Sequence, residues 1–82
     1  MRRFPNEQIR VRLTPDRTAP AAFWRGNQSY QIQRVQSYWR LAGAWWDGEG
    51  EKSYFRVIAG HGVYELCLDH ATNKWTLVGI HD

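Results

Sequence analysis

The C-terminal stretch constrains the fold most. Tyr54 to Ala59, Val63 to Leu68 and Trp75 to Ile80 are short runs rich in β-branched and aromatic residues, and two turn-forming segments separate them: Gly60-His61-Gly62, then His70-Ala71-Thr72-Asn73-Lys74. Glycine reaches the positive φ that tight hairpins demand, and Asn73 can adopt it in the longer loop. In the middle run Tyr64, Leu66 and Leu68 share one face and Glu65 takes the other, the period-2 alternation of a half-buried strand. Two consecutive hairpins make a three-stranded meander.

The N-terminal half extends the same theme. Ile9, Val11 and Leu13 alternate with Arg10 and Arg12, which predicts a half-buried strand with a basic outer face. Thr14-Pro15-Asp16 breaks it, and a loop runs to Pro20. A strand restarts from Ala22 to Arg25, Gly26-Asn27 is a tight-turn dipeptide, and Tyr30 and Ile32 continue on its far side as a first hairpin. Residues 1–7 show no periodicity and read as a flexible N-terminus, leaving 8–82 as a single β-rich domain.

From Val35 the period changes. Val35, Tyr38, Trp39 and Ala42 fall at i, i+3, i+4 and i+7, the stripe of a short amphipathic helix that Gly43 would end; a strand continuing through Trp39 is the rival reading. Trp45-Trp46 then leads into Asp47-Gly48-Glu49-Gly50-Glu51, an acidic, glycine-rich loop expected to be solvated. The expected architecture is mainly β: a single small antiparallel sheet, strongly curled or a partly open barrel, with one short helix.

With 82 residues the chain has room for one hydrophobic core, and most of its 12 aromatics are needed to fill it. The lone cysteine, Cys67, rules out an intrachain disulfide and a four-thiolate zinc site, and a reducing cytoplasm suits it. No apolar run approaches the roughly 20 residues that span a bilayer. Met1-Arg2-Arg3-Phe4-Pro5 lacks the apolar stretch of a secretory signal, so a cytoplasmic protein with no membrane partner is expected.

Catalytic chemistry finds little to stand on. Cys67 shares its strand face with Val63 and Glu65 and reads as a small hydrophobe, not a nucleophile. His61, His70 and His81 are spaced too widely for the usual zinc patterns, and Glu49 and Glu51 lie in a loop without rigid support. No phosphate-cradling glycine loop or nucleophile elbow occurs. A small enzyme using Glu65, His61 or His70 is the least favoured class, and no metal or cofactor is expected.

Binding is better supported. Nine of the eleven basic residues are Arg, the planar bidentate cation suited to phosphate and carboxylate. Arg10 and Arg12 project from one face, and Arg25 and Arg34 lie on the adjoining hairpin, so a guanidinium stripe could cross neighbouring strands, with Arg40 further along. Such a stripe neutralises phosphates while Trp24, Trp46 or Tyr54 stack on unpaired bases. The same arginines equally suit a solvating, aggregation-blocking outer face. Adjacent Trp45 and Trp46 cannot both point inward from extended backbone, so one of them needs other cover, which a protein partner would also supply.

One resemblance sharpens this. Trp39-Arg40-Leu41, Gly43, Trp45-Trp46, Tyr54-Phe55-Arg56-Val57, Gly62 with Tyr64 and Leu66, and Trp75-Thr76-Leu77 with Gly79 follow an order that resembles a bacterial family of small domains of unknown function, found alone and at the C-terminal end of polymerase-like proteins. The run from Phe23 to Asp82 is similar to the tail of the inactive, Y-family-polymerase-like subunit of the SOS mutasome. Where that tail tends to carry an Arg-bearing strand, Leu66-Cys67-Leu68-Asp69 stands here. The resemblance implies a non-enzymatic accessory role near DNA repair or translesion synthesis. Nucleic acid is the favoured ligand, and the alternative is a polymerase or repair protein docked through a sheet edge or the Trp45-Trp46 surface. Exposed sheet edges also suit a homodimer.

Overall fold

The structure, a computed structural model, describes residues 2–42 and 50–81. Seven strands follow in chain order: β1 (Arg2–Arg3), β2 (Glu7–Leu13), β3 (Pro20–Arg25), β4 (Gln28–Leu41), β5 (Lys52–Ala59), β6 (Gly62–Asp69) and β7 (Lys74–His81). From β2 to β7 each strand pairs antiparallel with the next, and β7 returns to β2 through Glu7↔Leu77, Gln8↔Thr76 and Ile9↔Trp75. That last ladder closes a six-stranded barrel. β1 extends the line of β2 along β7, with Arg2↔His81 and Arg3↔Ile80.

The barrel interior is built from the alternation already visible in the chain. Ile9, Phe23, Phe55, Val57, Ala59, Leu66, Leu77 and Ile80 are buried together, and Val11, Tyr30, Ile32, Val35, Tyr64 and Trp75 pack against them. Phe23 stacks on Tyr30 with ring centroids 4.7 Å apart, and Tyr64 meets Phe23 edge-on at 5.3 Å. Each fully buried Phe, Leu or Ile contributes about 1.5–3 kcal/mol of transfer free energy, so a few large side chains carry a core this small. The turns follow the expected chemistry: Gly26 and Gly60 have φ of 57° and 59°, and Asn73 reaches 58°.

Two expectations are corrected. No helix occurs among the described residues, because the segment expected to be helical continues β4 as a strand through Leu41. The helical spacing has a specific origin: opposite Ala59, Val57 and Phe55 of β5, two residues apart, stand Ile32, Val35 and Tyr38 of β4, three apart. Register shifts at Gln33 and Gln36 insert one extra residue each, so two β-bulges turn a period of two into a period of three. The sheet is also closed, not an open curl with a helix on its face. Closure pairs the edges that the first and last strands would otherwise expose. The helix-ending role of Gly43 and the placement of Trp45-Trp46 lie outside the described residues.

Candidate nucleic-acid interface

Because Ile9, Val11 and Leu13 face the interior, Arg10 and Arg12 stand on the outer wall. The register sets Arg10 opposite Trp24, and Arg12 opposite Ala22, which in turn faces Gln31 of β4. The Arg10 guanidinium lies 5.7 Å from the centroid of the Trp24 ring, within cation–π range. Arg12 Nη2 donates to Gln31 Oε1 at 3.4 Å across the small, buried Ala22. Arg34, opposite Ile58, continues the exposed outer row of β4.

The other predicted arginines are committed elsewhere. Arg25 makes a bidentate contact with Glu7, its Nη2 at 2.7 Å and Nε at 3.1 Å from the carboxylate oxygens. That hydrogen bond holds the Glu7 carboxyl below its ordinary value and raises the Arg25 guanidinium. Arg40 pairs with Glu51 at 2.8 Å. Among the described residues no carboxylate pairs with Arg10, Arg12 or Arg34. Among the described residues, Asp16 accepts from Thr14 and Thr18 within its own loop, which lowers its carboxyl, and Asp69 accepts the Ala71 N–H.

Tyr54 is not brought to the Arg10–Trp24 wall. It stacks on Trp39 with centroids 5.5 Å apart and planes within 5°, and Arg56 lies 5.8 Å from the Trp39 centroid. Burial first, then the neighbouring Cys67, raises the Tyr54 phenol, while burial dominates in raising the Cys67 thiol. Trp46 lies outside the described residues.

Two clusters escaped sequence reasoning. Glu65, 6% exposed on the outer side of β6, meets Arg56 Nη2 at 3.5 Å and His81 Nε2 at 3.2 Å. Gly79 stands opposite Glu65, and a Cβ there would come within 2.8 Å of Glu65 Oε1. The glycine makes room for the carboxylate. A lone acid on a strand facing a glycine on its neighbour was the available signal, legible only once the register is known. Second, Ser53 Oγ lies 2.7 Å from His70 Nε2 at the other end of the barrel. Nucleophile–base pairs have this spacing, but Ser53 is 2% exposed and no third group among the described residues bonds the imidazole. The pair fastens the β6–β7 turn to β5, together with the His70 N–H donated to the Glu51 carbonyl.

A hollow of about 140 Å³ is lined by Gln36, Arg56, Val63 and His81. A larger one of about 440 Å³ opens at the barrel mouth between Tyr30, Ala59, the Gly60-His61-Gly62 turn and Tyr64. No group of three metal-binding side chains and no helix long and apolar enough to cross a membrane occurs among the described residues. One family profile, described as Domain of unknown function (DUF6504), matches residues 1–82. No curated protein and no solved structure matches the chain.

Proposed function

We propose, starting from the chain's membership of this domain family of unknown function, that it is a non-enzymatic accessory module that binds single-stranded nucleic acid on the outer wall of β2, β3 and β4. The observation that carries this reading is charge segregation. Arg10, Arg12 and Arg34 share a wall without a carboxylate partner among the described residues, while Arg25, Arg40 and Arg56 are each matched to an acid. Unpaired guanidinium groups lose little when they meet phosphate, because no ion pair must first be broken. Trp24, half-buried and beside Arg10, supplies the aromatic surface on which an unpaired base stacks. The similarity to the mutasome subunit tail supports a place in DNA repair or lesion bypass.

The test is a titration of tryptophan fluorescence with short single-stranded and double-stranded DNA at low salt. Quenching by the single strand that is strongly weakened in Arg10→Ala/Arg12→Ala is expected. Absence of binding at low salt removes the reading.

A second reading has its own observation. β4 pairs with β3 only over residues 28–31, so residues 32–41 keep one edge unpaired among the described residues, and Tyr38 and Leu41 on that stretch are 51% and 55% exposed. An extended segment of a polymerase or repair protein could add to that edge. Such docking would bury Tyr38 and Leu41, so a Leu41→Arg variant would lose the partner and keep DNA affinity.

A further inference from the structure

We infer that the mouth of the barrel between the β3–β4 and β5–β6 turns is a base site, taking a single planar heterocycle of a nucleotide turned out of its stack. The assignment of ligand class rests on the nucleic-acid reading; the existence of a ring-accepting cleft rests on the geometry of the mouth.

The cavity of about 440 Å³ falls within the range of small-ligand pockets, roughly 300–1,000 Å³. Its walls are aromatic and already positioned. Tyr30 and Tyr64 stand 5.3 Å apart at 54°, and both are backed by the fully buried Phe23, so neither ring needs ordering when a ligand arrives. The rim is open at Gly60 and covered at Gly62, where the Tyr64 ring lies over the backbone. A Cβ on Gly62 would come within 3.2 Å of the Tyr64 ring, so glycine is what lets that ring lie over the strand. Gly60 sits at φ 59°, and the space its Cβ would occupy is open. His61, exposed between them, places an imidazole at the edge, where it can bond polar ring atoms.

The mouth also adjoins the basic wall. The register runs Phe23↔Tyr30, Trp24↔Ser29 and Arg25↔Gln28, so Tyr30 belongs to the same end of the same hairpin as the Arg10–Trp24 pair. Arg3 shares the row of Ile80 and Tyr64 on the other side. A nucleotide whose phosphate meets the wall can therefore present its base to the mouth without crossing the barrel. An aliphatic ligand would gain little from the paired tyrosines beyond its apolar area, whereas a base offers them a π-face.

The probe is deoxyadenosine monophosphate, added at millimolar concentration to the isotope-labelled full chain and to its Arg10→Ala/Arg12→Ala and Tyr30→Leu variants. The Gly60, His61 and Gly62 amides should shift, and adenine protons should show nuclear Overhauser contacts to the Tyr30 and Tyr64 rings. The shifts should persist in the arginine variant and vanish in Tyr30→Leu. If adenine contacts map to Trp24 alone, or the mouth amides do not move in the unmodified chain, the base site is overturned while the wall can still bind DNA. If mouth contacts appear but oligonucleotides fail to bind, the base site stands and the wider nucleic-acid reading falls. The contacts seen in the unmodified protein decide the matter even if Tyr30→Leu fails to fold.

Discussion

Salt dependence gives the basic wall a number that can be wrong. Each phosphate neutralised on a single strand adds about −0.7 to the slope of log affinity against log salt. With Arg10, Arg12 and Arg34 as the arginines of this wall, each lacking a carboxylate partner among the described residues, the slope should be about −2.1, and raising salt from about 50 to about 200 mM should weaken binding about 18-fold. In Arg10→Ala/Arg12→Ala only Arg34 of the wall remains, so the slope should fall to about −0.7 and the same change in salt should cost about 2.6-fold. Arg25 and Arg40 do not enter, because Glu7 and Glu51 already hold them at 2.7 and 2.8 Å. The assay is fluorescence anisotropy of a labelled single-stranded oligonucleotide over that salt range. A wild-type slope near zero, or one that the double substitution leaves unchanged, refutes the reasoning. A slope near −3.5 would show that Arg25 and Arg40 abandon their carboxylates for the ligand.

Other consequences concern the barrel itself. Gly79→Ala places a Cβ 2.8 Å from Glu65 Oε1 and should destabilise by about 1–3 kcal/mol. In a Glu65→Ala background that cost should largely disappear; equal costs in both backgrounds, measured by urea unfolding, would rule out the steric explanation. Arg25 depresses the folded-state Glu7 carboxyl, so its stabilisation is present above the ordinary value of 4.5 and is lost as pH falls through the depressed one. Glu7→Gln should therefore flatten the acid limb of stability against pH, and an unchanged limb would remove Glu7 from the account. Leu66→Ala, at a fully buried position, should cost about 2–5 kcal/mol, and a loss under about 1 kcal/mol in the same unfolding assay would contradict the core assignment.

Local chemistry made much of the barrel wall legible. Ile9, Val11 and Leu13 announce a strand because side chains alternate across it, whatever the strand later pairs with. The β5–β6–β7 meander and the left-handed Asn73 follow from turn chemistry that needs only the neighbouring residues. Where the pattern misled, at Val35 and Tyr38, the fault lay in the bulges at Gln33 and Gln36. Apolar residues three apart mark either a helix or a twice-bulged strand, and only the facing Val57 and Phe55 distinguish the two.

The candidate site divides in the same way. That the chain carries an arginine-rich, aromatic first half is a property of the sequence, and so is the outward direction of Arg10 and Arg12. Which arginines remain available is not, because a guanidinium is committed by whatever carboxylate the fold brings near it. Glu7 reaches Arg25 through the β2–β3 register, Glu51 reaches Arg40 across the β4–β5 ladder, and Glu65 meets His81 only because β6 lies on β7. Alternation and turns are settled within a few residues, and the sequence determined them alone. Closure of β7 on β2, the open mouth at Tyr30 and Tyr64, and the sorting of paired from unpaired charge depend on residues far apart in the chain, so only the tertiary structure could decide them.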